Sequence, residues 1–243
     1  VAIARQQYES EILIGWVQLA VVVTFGVLYA VSPKTFDARL MFAPVPWALG
    51  FYGVFTLLRL ALAYGNYTPG WFLGLSVVLD MSLLMGLIWS FHLQYDQPPS
   101  FFLKAPTLLY VFIFVALRAL RFDALYVVLA GLVAALGWFL MVAYVFYFQG
   151  MDPLTRNYVE YMTSSKMLLG AEFDKIISIL LVTLILAVAI VRARRLLIRS
   201  AIEETAAADL SRFLPAELAQ QIKEQETRVQ AGEGELTDAA TLT

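Results

Sequence analysis

The chain has 243 residues, 60% of them hydrophobic and only 15% charged, with a formal net charge of -2. That balance lies outside ordinary globular composition and inside the membrane class, and so small a net charge points to no nucleic-acid partner. There is no cysteine, which excludes disulfides and thiolate metal sites and leaves the redox compartment unread.

Residues 1–5 make no basic leader, and the apolar run after them is too long for a signal-peptide core, so the first hydrophobic segment is expected to remain as an anchor. Residues 12–31 carry no charge. At about 1.5 Å per residue this run crosses a hydrocarbon layer of roughly 30 Å. Five more spans are expected at residues 44–64, 71–91, 105–120, 124–148 and 176–191, the one at 105–120 being short. Charged or proline-containing stretches separate them: Pro33, Lys34, Asp37 and Arg39 after the first, GNYTPG after the second, and Pro98 and Pro99 after the third. Asp152 followed by Pro153 has the form of a helix N-cap with proline at the first helical position. Leu154, Tyr158, Tyr161, Met162 and Leu169 then recur at helical spacing. An amphipathic helix on the outer membrane face is expected there.

The fold class expected is therefore an all-α membrane protein with six transmembrane helices, an outer-face amphipathic helix and a cytoplasmic signalling helix. Arg192, Arg194, Arg195 and Arg199 crowd the exit of the last span, and Arg118 and Arg121 lie in the short connection after the fourth. Both groups fall on one side of a six-span layout, and the positive-inside rule makes that side, with both termini, cytoplasmic. A bacterial inner membrane is the expected setting. The four clustered arginines also suit anionic lipid headgroups.

Few residues carry candidate chemistry. Asp80 stands near the middle of the third span, where a carboxylate is costly and faces a partner or a cavity. It is either a proton- or ligand-sensing group or a structural residue joining its helix to a neighbour. Arg59 and Arg118 fall near the ends of their spans, a poor depth match for Asp80, and are expected to snorkel into the headgroups. His92, the only histidine, precedes Asp96 by four residues. On a helix that spacing puts both on one face, half of a metal site that Glu160, Glu172 or Asp174 would have to complete. A solvated interfacial histidine is the plainer account. One histidine also rules out bis-histidine haem ligation within the chain and a Ser-His-Asp triad, and the glycines form no phosphate loop.

Residues 192–226 read as a cytoplasmic helical stalk. Ile198, Ile202, Ala206 and Leu210 recur every four residues on one face of a strong helix former, enough for a short helix–helix contact. Pro215 divides the stalk, so one helix is expected to end near Phe213 and another to begin at Pro215 with Leu218 and Ile222 on its apolar side. Residues 227–243 read as an acidic, glycine-containing loop leading into an apolar, strand-like run.

The phrase Leu210-Ser-Arg212-Phe213-Leu-Pro215-Ala-Glu-Leu218-Ala-Gln-Gln-Ile222, with the later Gly232-Glu-Gly234-Glu-Leu-Thr-Asp-Ala-Ala-Thr-Leu242, resembles the linker that joins an N-terminal membrane domain to the catalytic domain in class III adenylyl cyclases. The resemblance covers about forty residues and no catalytic position. It implies a downstream domain that makes cyclic AMP from ATP by attack of the ribose 3' hydroxyl on the α-phosphate, assisted by two Mg or Mn ions. It also implies a homodimer, since catalytic sites in that family form between two such domains. No cofactor is expected within this chain. A small ligand or a membrane-protein partner would supply the stimulus. Two other readings stay open: the sensor of another signalling enzyme such as a histidine kinase, and a non-enzymatic, transporter-like accessory subunit.

Overall fold

The computed structural model describes residues 2–31, 44–65 and 69–213. They form α1 (Ala2–Val31), α2 (Pro44–Tyr64), α3 (Gly70–Gln94), two 3-10 segments (Pro99–Lys104 and Pro106–Leu109), α4 (Tyr110–Ala119), α5 (Ala124–Gln149), α6 (Tyr158–Thr163) and α7 (Leu169–Phe213). No β-strand occurs among the described residues. Among the described residues five stretches are long and apolar enough to cross a membrane: Ser10–Val31, Pro44–Tyr64, Gly70–Gln94, Ala124–Gln149 and Leu169–Glu203. The described residues are thus all-α and compatible with an integral membrane protein. It divides into two units, Val1–Ala193 and Arg194–Thr243.

Two expected elements take a different form. The fourth span is a ten-residue α-helix preceded by 3-10 turns, because Pro99 and Pro106 lack the N–H that an α-helical ladder needs and each opens a new segment. The amphipathic helix shrinks to the six residues of α6. Its N-cap is Asn157, whose Oδ1 accepts from Val159 N at 2.9 Å, and not Asp152. Backbone pairing takes the groups that an earlier helix start would use: Thr155 N donates to Met167 O at 3.0 Å, and Met167 N to Pro153 O at 2.7 Å.

Side-chain contacts give the helix directions in the first unit. Trp16 Nε1 donates to Tyr64 Oη at 3.1 Å, and a Cβ on Gly53 would lie 3.8 Å from Val22, so α1 and α2 are antiparallel. Between α3 and α5 the order is the same on both helices: Gly74 faces Leu129, Gly137 faces Met85, and the Trp89 and Tyr144 rings meet at 6.1 Å. Parallel neighbours need a connection that returns from one end of the bundle to the other. Residues 95–123, with the 3-10 segments and α4, supply it. α7 is antiparallel to α5, with Glu172 against Trp138 and Thr183 against Gly131. The end of the bundle holding the start of α1 is called proximal below, and the opposite end distal.

The core consists of Met81, Ile88, Phe102, Val111, Val127, Trp138, Val145 and Ile179, all nearly inaccessible. Large apolar side chains such as Val23, Trp47, Leu58, Leu132, Leu136, Phe139, Leu181 and Ile185 point outward, more than half exposed. In water such a surface would aggregate, whereas against lipid it costs nothing. The distal end is closed by cations. Lys104 donates to the carbonyls of Tyr161 and Ser164, and burial, then repulsion from Lys175, lowers its pKa from the ordinary lysine value. Lys175 donates to Leu103 O at 2.6 Å and to both oxygens of the buried Glu172 at 2.8 and 3.0 Å. Trp138 Nε1 completes the Glu172 site at 3.0 Å.

Two predictions follow from this packing. A Cβ on Gly131 would collide with the Thr183 side chain. Gly131→Ala should therefore lower unfolding free energy in detergent by about 1–3 kcal/mol, and Thr183→Ala in the same chain should recover part of that loss. At the distal loop, hydrogen bonds from Lys166 and Thr155 hold the Glu160 carboxyl below its ordinary value of 4.5. A depressed carboxylate contributes order above its unfolded pKa and loses it as pH falls through the folded one. Amide-exchange protection of Asn157 and Met167, corrected for intrinsic rate, should fall below pH 4.5, and Glu160→Gln should remove that pH dependence.

Candidate functional site: a buried charge network

The proximal half of the bundle holds a connected set of polar side chains where hydrocarbon packing would be expected. Glu11 and Gln18 come from α1, Tyr52 and Arg59 from α2, Asp80 from α3, and Arg118 from the end of α4. Each is buried; Glu11, Gln18, Arg59, Asp80 and Arg118 are at most 2% exposed. Their positions follow from helical geometry. Glu11 and Gln18 are seven residues apart, two turns, so they share the α1 face turned toward α2. Antiparallel pairing of α1 with α2 sets Arg59 beside them.

Arg59 Nη2 donates to Glu11 Oε2 at 2.7 Å and its Nη1 to Gln18 Oε1 at 2.8 Å. The Gln18 amide passes the connection inward, with Nε2 donating to Asp80 Oδ2 at 2.9 Å and to Tyr52 Oη at 2.5 Å. Arg118 forms an ion pair with the same Asp80 oxygen. Arg121, just beyond α4, approaches Glu11 Oε1 at 3.1 Å and lies with its guanidinium carbon 4.0 Å from the centre of the Tyr126 ring. Two carboxylates thus meet two fully buried guanidinium groups, with a third at the edge. The hydrogen bonding is incomplete: Asp80 Oδ1, Arg59 Nε and Arg118 Nε are buried and without a hydrogen-bond partner among the described residues.

The expectation that Arg59 and Arg118 snorkel away from Asp80 is overturned. Depth read from chain position ignores the reach of an arginine side chain, which extends inward as readily as outward when an acceptor waits there. Glu11 and Gln18 were the partners missing from that reading. Glu11 sits one residue outside the charge-free run, and Gln18 breaks it without carrying a charge. Asp80 itself is paired through Arg118 and Gln18, with one oxygen left over.

His92 is buried among aromatic rings rather than solvated at the interface. It is 6% exposed, its Nδ1 lies 2.5 Å from Trp89 O, and its ring packs against Trp89, Phe102 and Tyr144. α3 ends at Gln94, so Asp96, with φ 48°, leaves the helix face on which the pair was expected. No group of three or more metal-ligating side chains occurs among the described residues. Glu172 is instead committed to Lys175 and Trp138. Of the membrane-exit arginines, Arg199 pairs with Glu203 at 2.8 Å on the exposed helix surface. The backbone of Leu210, Arg212 and Phe213 is helical. Pro215, Leu218 and Ile222 lie outside the described residues.

Breaking one side of a buried ion pair leaves the other charge without compensation. Asp80→Leu or Arg118→Met should each destabilise the chain by about 3–5 kcal/mol, and the double change should cost clearly less than the sum. Reversible unfolding in mixed micelles measures that coupling, and additive costs would show that the two residues stabilise the bundle independently. No family model, curated protein or solved structure matches this chain.

Proposed function

We propose that the chain is the membrane anchor and regulatory domain of a class III adenylyl cyclase, working as a homodimer in a bacterial inner membrane. The observation that carries this reading is the Leu210–Ile222 phrase at the end of a stalk helix that follows a hydrophobic bundle. Parallel packing of α3 and α5 favours six crossings, with the chain returning through Pro106–Ala119. Four residues of 3-10 helix and ten of α-helix rise about 23 Å, which a locally thinned or well-packed region accommodates. In this reading there are six crossings, and the arginines after the last span support cytoplasmic termini.

In this reading the proximal charge network supplies the regulated element. A network with unpaired polar atoms in a low-dielectric interior is expensive, so a modest shift of α1, α2 or α4 that satisfies them changes the balance between arrangements. α7 is covalently continuous with the stalk and carries the result to the catalytic domain. The chemistry itself belongs downstream, to two divalent ions and an ATP-binding site that this chain does not contribute.

Membranes bearing the chain with the sequence that follows it in its gene should make cyclic AMP from ATP with Mg or Mn, and a copy stopped after Thr243 should make none. Asp80→Asn in the longer form should change that rate by about fivefold or more, the scale of ordinary inter-site coupling. No cyclic nucleotide from the longer form under either ion would sink the cyclase reading and favour a sensor with another output, or an accessory subunit.

A further inference from the structure

Beside the network, between α1, α2, α3 and the Pro106–Ala119 segment, lies a cavity of about 320 Å³. That volume is at the lower end of small-molecule sites, roughly 300–1,000 Å³. Its longest wall is α3. Asp80, Leu84, Leu87, Phe91 and Gln94 all line it, and their spacing of four, three, four and three residues keeps them on one helix stripe. From Asp80 to Gln94 is fourteen residues, about 21 Å of helix. The site is therefore a slot rather than a sphere, apolar along its length and polar at both ends.

The two ends share a further property. Asp80 is 1% exposed and Gln94 5%, yet Asp80 Oδ1 and Gln94 Oε1 have no hydrogen-bond partner among the described residues. Buried acceptors without donors cost free energy that a suitable ligand recovers. The Gln94 oxygen lies outside the charge network, and the Asp80 oxygen is the one that the network leaves without a donor.

We propose that this slot binds an elongated, uncharged lipophile carrying a hydroxyl at or near each end, one donating to Asp80 Oδ1 and the other to the Gln94 amide. A carboxylate would be repelled by Asp80. An ammonium group finds no surplus negative charge, because Glu11 and Asp80 are already matched by Arg59 and Arg118, with Arg121 at the edge. A hydroxyl both donates and accepts, so it serves the Gln94 amide in either orientation. A hydrocarbon middle matches the leucine and phenylalanine wall and is flanked by the Phe25–Tyr110 stack, whose ring centres are 4.2 Å apart. The proposal stands whether or not the chain regulates a cyclase.

The test is equilibrium binding of radiolabelled hexadecane-α,ω-diol to the purified chain in detergent, with unlabelled hexadecane and hexadecanol as competitors. Saturable binding is expected, with the diol competing better than the mono-alcohol and hexadecane not competing. Gln94→Leu should weaken diol binding by about tenfold, the effect of one lost hydrogen bond. Ala48→Phe and Leu83→Phe, each filling the slot from a position outside the network, should abolish saturable binding while circular dichroism shows retained helix. Uptake that never saturates, hexadecane competing as well as the diol, or undiminished binding in the folded slot-filling variants overturns the proposal.

Discussion

An ion taken from water into an apolar interior loses several kcal/mol of solvation, and only close pairing with further hydrogen bonds offsets that loss. The proximal half of this bundle is arranged around that constraint. Glu11, Arg59, Asp80 and Arg118 come from four different helices, and each is out of contact with solvent. No one of these helices can leave the arrangement without stranding a charge on another. Apolar packing does not impose such a condition between helices in lipid, since a leucine is as well accommodated by acyl chains as by a neighbouring helix. The network therefore specifies which helices meet, and in what register, where hydrophobicity alone would not.

Close packing between α5 and α7 completes the specification on the other side. Gly131 leaves room for Thr183, whose hydroxyl is occupied with Ile179 O at 2.7 Å on its own helix. A small residue facing a β-branched one lets two membrane helices approach without exposing polar backbone. At the distal end Glu172, Lys175 and Trp138 tie the beginning of α7 to the end of α5's core and to the 3-10 segment. The two devices differ in kind: the Glu172 carboxylate is held by three donor contacts, whereas one Asp80 oxygen has none among the described residues. The distal cluster has the form of a fixed fastening, and the proximal one of a site with capacity to spare.

The hydrophobic runs were legible from composition alone, because a span must be long and apolar whatever it packs against. Residues 44–64 coincide with α2, and residues 124–148 fall one residue short of α5. Asp80 was also visible, as a charge in the wrong solvent. Its partners were not. Arg59 and Arg118 sat at depths that suggested headgroups, and Gln18 carries no charge to draw notice, so the network became apparent only once α2 and α4 were both set antiparallel to α1. The expected helix from Asp152 failed for a similar reason: local capping signals were outweighed by backbone pairing between Thr155 and Met167, residues twelve apart. His92 and Asp96 show the reverse error, a local spacing that holds on a helix and fails because α3 stops between them.

Gln18 sets what such a network can do. Its carbonyl accepts from Arg59 and its amide donates to Asp80 and Tyr52, so one neutral side chain joins the Glu11–Arg59 pair to the Asp80–Arg118 pair. A direct carboxylate–guanidinium chain would resist any change, because every displacement would separate full charges at low dielectric. An amide can exchange one hydrogen-bond partner for another at far smaller cost, which leaves each ion pair intact while the distance between the pairs changes. The arrangement is therefore stiff within each pair and at the Glu11–Arg121 contact, and more compliant where Gln18 bridges to Asp80. The compliant direction runs between α1 and α3, along the side of the bundle where the slot beside Asp80 lies, so occupancy there and the state of the ion pairs act on the same carboxylate.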